Sequence, residues 1–305
     1  MVGVPKKKKF GVLDIAKYFI FAAFAIWAFT YIKDLTSKDA LSKVLAKTPW
    51  WVYFGAFIGT LINWLLESAK WHKLINTIQI SPLATSIKAV LSGTAVGNLL
   101  PYKIGEYLGK LYFVDTDKRA LSIPLSFISS TIQLFVNLSL CIIPAIYVLG
   151  NAAVTTMNWQ KFLIIGSLVI LSISVAYQHP KLKKWMLDIR ENFKLLTLKV
   201  LFQVSAIALL RFLFFLSAYA FVLHGMTELS WTQLYSGICA IYFMQSFAPG
   251  MLLTDGPVRI LLPLVVFKAM GANETVLIAA SIINYLASVI FPSLVGVVLI
   301  ALRKR

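Results

Sequence analysis

The sequence predicts an all-α fold, a polytopic transmembrane helical bundle, and three observations carry that prediction. Of the 305 residues, 59 % are hydrophobic and only 13 % are charged, with a mean hydropathy of +0.80. A soluble domain of this length needs far more polar surface to cover itself. Apolar runs of roughly 20 residues recur, the length that crosses ~30 Å of hydrocarbon. The basic residues behind the formal charge of +17 sit at the ends of those runs. That placement sets membrane topology and argues against a nucleic-acid partner.

Taken in order, the first apolar run covers residues 12–31, behind the cluster Lys6 to Lys9. That cluster holds the amino terminus in the cytoplasm, and without a small-residue cleavage site the run is expected to be retained. A linker of mixed charge, 33–48, has the composition of a short interfacial helix. Pro49-Trp50-Trp51 then anchors a second span that ends by Lys70-Trp71-His72-Lys73 on the cytoplasmic side. Ser81-Pro82 opens an interrupted segment, with proline at a helix start where its missing N–H costs little. Asp115 to Arg119 follows as a cytoplasmic turn. A long span over 121–149 leads to an uncharged external stretch, 150–156, and a span over 162–177 returns. The loop beyond it, rich in Lys and interleaved with Trp185, Met186, Leu187 and Phe193, reads as an amphipathic surface helix on anionic lipid. A span over 200–223, a second interrupted segment and a last span over 276–302 complete the chain. Arg303-Lys304-Arg305 places the carboxyl terminus in the cytoplasm.

The two interrupted segments organise this single membrane domain, 1–305. The first half, 1–150, holds a broken hairpin over 83–114, and the second half, 151–305, holds one over 235–270. The breaks are Gly97-Asn98-Leu99-Leu100-Pro101-Tyr102-Lys103-Ile104-Gly105-Glu106 and Ala248 to Pro257. Hydrocarbon offers no water to backbone groups freed by a break, so ionisable residues there are functional candidates. Charge bias makes the first hairpin enter and leave from the cytoplasm and the second from outside. Two broken hairpins of opposite orientation match the inverted repeats of secondary transporters, whose substrate sites form where broken helices meet.

Asn98, Lys103 and Glu106 in the first break, and Asp255 and Arg259 in the second, are therefore the expected substrate-binding residues. Lys103 or Arg259 would take an anionic phosphate, and Glu106 would position Lys103 as an i,i+3 partner. Helix amino termini after Pro101 and Gly256 would add N–H donors. Arg211, deep inside a span, is expected to meet a carboxylate across the bundle or to line a cavity. Glu67 and Lys88 read as interfacial. No catalytic residue, cofactor or metal is expected. The three histidines fall at helix ends, Cys141 and Cys239 lie in apolar runs, and nucleophile-elbow, P-loop and dinucleotide motifs are missing.

The residues from Ser92 to Glu106, followed by Lys110, resemble the Gly-…-Pro-x-(Arg/Lys)-x-Gly-Glu signature of the lysylphosphatidylglycerol synthase transmembrane-region family. Thr254-Asp255-Gly256-Pro257-Val258-Arg259 resembles its second motif. Ile260 stands where that motif often carries an acidic residue, and Pro257 where it carries a small one. Pro292-Ser293-Leu294-Val295-Gly296 also fits. The resemblance implies a flippase-like, multi-pass protein of the bacterial inner (plasma) membrane. Its partner would be a membrane phospholipid with an anionic headgroup, or a lipid-linked headgroup. With the chain ending at Arg305, directly after the last span, the soluble synthase domain of bifunctional members and its aminoacyl transfer are not expected. The alternative is a non-transporting membrane subunit that binds lipid or a partner protein.

Overall fold

A computed structural model describes residues 30, 37–99, 104–150, 196–246 and 252–302. Among them are nine helices and no strand: α1 Lys38–Lys47, α2 Trp50–Ile75, α3 Leu83–Leu99, α4 Ile104–Leu111, α5 Arg119–Gly150, α6 Leu198–His224, α7 Trp231–Gln245, α8 Leu252–Lys268 and α9 Glu274–Ala301. The expected spans over 12–31 and 162–177 and the amphipathic loop after them lie outside the described residues.

Four helices, α2, α5, α6 and α9, are long and apolar enough to cross a membrane. The others are shorter than the ~20 residues a perpendicular crossing needs: 17 in α3, 8 in α4, 15 in α7 and 17 in α8. Local chemistry fixes several starts. Ser37, Thr197 and Asn273 cap α1, α6 and α9 through their side chains, and Ser230 forms a reciprocal capping box with Gln233 at α7. Prolines 124 and 144 lie inside α5, and 257 and 263 inside α8; neighbouring helices make such breaks in the backbone ladder tolerable. In α9 the residues Leu286–Ile290 form a π-helical turn.

Packing rests on small residues that let backbones approach. In the α3–α4 hairpin a Cβ added at Gly105 would lie 2.1 Å from the Val96 carbonyl oxygen, and one at Gly109 would lie 2.5 Å from that of Ser92. The arms therefore touch backbone to backbone. Gly296 of α9 sits equally close to the Leu91 carbonyl of α3. Helices α2 and α6 run antiparallel: Trp51 and Val52 meet Gly225, Gly55 meets Phe221, Gly59 meets Ala218, and Asn63 meets Arg211. Helix α3 packs on the second part of α9, and α7 packs on α5.

The apolar core is split in two. One cluster joins Val52 and Ala56 of α2, Cys141 to Leu149 of α5, and Phe212 to Leu223 of α6 to α7, α8 and α9. The other joins Trp71, Leu74 and Ile75 of α2, Leu125 and Ile128 of α5, and Val204 of α6 to α3. Between them lie the polar middles of the same helices. Large apolar residues such as Leu65, Phe135, Ile143, Phe202 and Leu294 face outward, as a lipid-facing band requires.

Two expectations need correction. Helix α8 starts at Leu252, so Gly256 and Pro257 lie within a helix and no amino terminus opens after Gly256. Glu67, read as interfacial, and Lys70, read as the cytoplasmic end of the second span, are 5 % and 1 % exposed, inside the bundle. Lys88 is exposed.

Candidate functional site: a polar cavity halfway along the bundle

A cavity of about 360 Å³ opens between the two apolar clusters. Arg211 is the central residue of α6, and Asn63 sits at the middle of α2. Gln133 and Leu134 lie near the middle of α5, and Ser288 at the π turn halfway along α9. All of them line the cavity, so it lies at half the depth of every span-length helix. Five of the six residues singled out in the sequence line it too: Asn98, Glu106, Arg211, Asp255 and Arg259. The sixth, Lys103, lies outside the described residues.

Its ionic groups fall into three sets. At the α2–α6 contact, Glu67 Oε2 lies 2.7 Å from Lys70 Nζ and 2.8 Å from Arg211 Nη1. Arg211 Nε also donates to Asn63 Oδ1 at 3.0 Å, and Nη1 donates to Gln133 Oε1 at 3.1 Å. Lys70 donates to the same Gln133 oxygen, while the Gln133 amide donates to Asn137 and to the Ala208 carbonyl. One carboxylate thus serves two cations, and a relay of amides fixes their orientation.

On the first hairpin Glu106 pairs with Lys110, an i,i+4 contact of 2.7 Å within α4. Helix α4 brings Lys110 over Glu106 by one helical turn; the expected positioning of Lys103 by Glu106 falls on a residue outside those described. Lys110 Nζ also stands 5.0 Å from the Trp71 ring centre, at cation–π range. On the second hairpin Asp255 Oδ2 accepts from Arg259 Nε at 2.7 Å, again one turn apart within α8. Asn98 donates to Ser293 Oγ at 2.6 Å and so joins the first hairpin to α9.

Sequence reasoning missed Glu67 and Lys70 as cavity residues. A usable signal was present: both share an α2 face with Asn63, at i,i+4 and i,i+7 spacing, and Arg211 required a carboxylate. Among the described residues, no group of three or more His, Cys, Asp or Glu could hold a metal. The site's described ionic groups are held by hydrogen bonds and ion pairs.

Span-length apolar helices around a mid-depth ionic cavity define a multi-pass α-helical membrane protein. More particularly, the chain belongs to the Lysylphosphatidylglycerol synthase TM region family, which it matches over residues 15–296. No curated protein matches it.

Proposed function

We propose that this protein takes the headgroup of an anionic lipid into the cavity and carries it between the leaflets of the bacterial inner membrane, with both termini in the cytoplasm. The observation that carries the reading is the charge balance of the site. Among the described residues Lys70, Arg211 and Arg259 line the cavity against Glu67, Glu106 and Asp255, and Lys110, paired with Glu106 from outside that lining, brings one further positive charge. Keeping such a group at mid-depth costs several kcal/mol, and an anion entering the cavity offsets that cost. Exposed apolar helix faces let the acyl chains stay in lipid while the headgroup moves.

Carriage between leaflets, beyond binding alone, is supported by the repetition of the two halves. Helices starting at Trp50, Leu83 and Ile104 have counterparts at Leu198, Trp231 and Leu252, a constant offset of 148 residues. The same offset relates Pro101 to Pro249, and Asn63 to Arg211, which touch at 3.0 Å. Counterparts α2 and α6 are antiparallel, so the operation that exchanges the halves reverses their direction. We read this as an inverted repeat whose axis passes beside Asn63 and Arg211, with hairpins α3–α4 and α7–α8 re-entrant from opposite faces.

The test is headgroup translocation in proteoliposomes carrying a fluorescent anionic lipid, with dithionite quenching the outer leaflet. Wild-type protein should expose the inner-leaflet label, and Arg259→Ala, eluting as a monodisperse species, should not. Transport by Arg259→Ala and by Arg211→Gln at the wild-type rate would overturn the reading.

A further inference from the structure

The two hairpins carry matching ion pairs, and only one of them presents its cation to the cavity. Glu106 and Lys110 of α4, and Asp255 and Arg259 of α8, are both i,i+4 pairs with a 2.7 Å contact. They are counterparts at an offset of 149 residues, one more than the helices, because the second break is one residue longer after its proline. Each cation also has a buried aromatic neighbour on a long helix of its own half. Trp71 of α2 and Tyr219 of α6 are themselves counterparts, 148 residues apart.

The cations are placed differently. Lys110 lies 5.0 Å from the ring centre of Trp71, with 2 % of its side chain exposed, and stays out of the cavity lining. Arg259 lines the cavity with 17 % of its side chain exposed. It is near enough to Tyr219 for its charge to act on the phenol, while the described cation–π contacts are those of Lys110 and Arg211. Lys110 Nζ nevertheless touches Glu106, which does line the cavity, so a short swing delivers it there. Both cations in the cavity together add like-charge repulsion and desolvation. One in and one out keeps the ionic charge of the cavity constant. Two states of similar energy are what a carrier that alternates between them requires.

Resting on the reading of the chain as an inverted-repeat carrier, we propose that Lys110 and Arg259 take turns at the cavity as the anion-binding group of opposite conformations. In the present conformation Arg259 faces the cavity and Lys110 rests on Trp71. In the other, Lys110 leaves Trp71 to face the cavity and Arg259 withdraws onto Tyr219. Trp71 and Tyr219 are positioning residues, one resting seat in each half.

The test uses the full chain in proteoliposomes, with lysines modified by formaldehyde and dimethylamine borane and read one by one by mass spectrometry. Lys88, which is exposed, sets the full rate. Lys110 should react at no less than about 0.1 % of it, the lower bound for a populated minor state. Trp71→Leu removes the seat of Lys110 and should raise its rate. Tyr219→Leu removes the seat that Arg259 takes in the other conformation and should lower the Lys110 rate. Each shift should be roughly twofold to thirtyfold, the worth of one cation–π contact, with the buried Lys70 unchanged in both variants. A Lys110 rate below that bound, or both variants shifting it the same way, overturns the exchange. Should a leucine variant fail to fold, Trp71→Phe keeps a weaker ring over Lys110 and should give a smaller rise; no rise overturns the exchange. Translocation in the same vesicles with Lys110 unreactive overturns the exchange and leaves the carrier reading standing. Lys110 rates that follow the two seats without translocation support the exchange and overturn the carrier reading.

Discussion

Replacing Glu67 with Gln removes the one anion shared by two cations, the buried Lys70 and the half-buried Arg211. Lys70 Nζ and Arg211 Nη1 lie 2.7 and 2.8 Å from the same oxygen, with side-chain exposures of 1 % and 21 %. At an effective dielectric of about 20, each contact contributes about 6 kcal/mol of attraction. Repulsion between the two cations and their own desolvation offset most of it. What remains measurable is the cost of orphaning buried charge, about 3–5 kcal/mol when one partner of a pair is deleted. With two cations orphaned, the upper end applies, about 5 kcal/mol. Arg211→Gln is the informative control, because it leaves Glu67 and Lys70 as a neutral pair and should cost only about 1–2 kcal/mol. Thermal unfolding in detergent should therefore fall by roughly 10–20 °C for Glu67→Gln and by only a few degrees for Arg211→Gln. Equal losses, or a Glu67→Gln protein within about 0.5 kcal/mol of wild type, would refute the shared-carboxylate geometry.

The remaining predictions address packing and layout. Gly105→Ala and Gly296→Ala each drive a methyl to 2.1 Å from a backbone oxygen and should destabilise by about 1–3 kcal/mol or more. Gly150→Ala, with nothing within 4 Å, should be silent in the same thermal assay. Asn98→Ala deletes the donor to Ser293 and should cost about 1 kcal/mol, read from the unfolding midpoint and rescued by Asn98→Gln only if the longer side chain reaches the same oxygen. Ile80 and Glu228, exposed counterparts at the 148-residue offset that follow the ends of antiparallel α2 and α6, should as single cysteines be labelled from opposite sides of sealed vesicles. The described native cysteines, Cys141 and Cys239, are buried and should add little background.

The span-length helices were legible in the sequence because hydropathy and the ~20-residue rule act locally. So were Asn98, Glu106, Arg211, Asp255 and Arg259 as cavity residues, since a polar group inside an apolar run has few places to go. A carboxylate partner for Arg211 was expected, whereas the identity of the individual partners was not legible. Glu106 takes Lys110 because α4 begins at Ile104 and carries both residues on one face, and a helix start is set by tertiary packing as much as by propensity. Pro257 looked like the end of a break, yet α8 runs through it from Leu252. Glu67 and Lys70 precede Trp71, His72 and Lys73, a composition typical of a membrane interface. The local signal is the α2 face they share with Asn63, and the arrival of Arg211 from α6 decides that this face is interior.

Arg211 and Arg259, halfway along the bundle, are proposed to receive a lipid headgroup. An experimental map of the protein in nanodiscs containing phosphatidylglycerol tests it most directly. The prediction is phosphate density within hydrogen-bonding distance of both Arg211 and Arg259, with acyl chains leaving the cavity toward lipid. A cavity holding only water, with lipid confined to the outer faces of α5, α6 and α9, would contradict it.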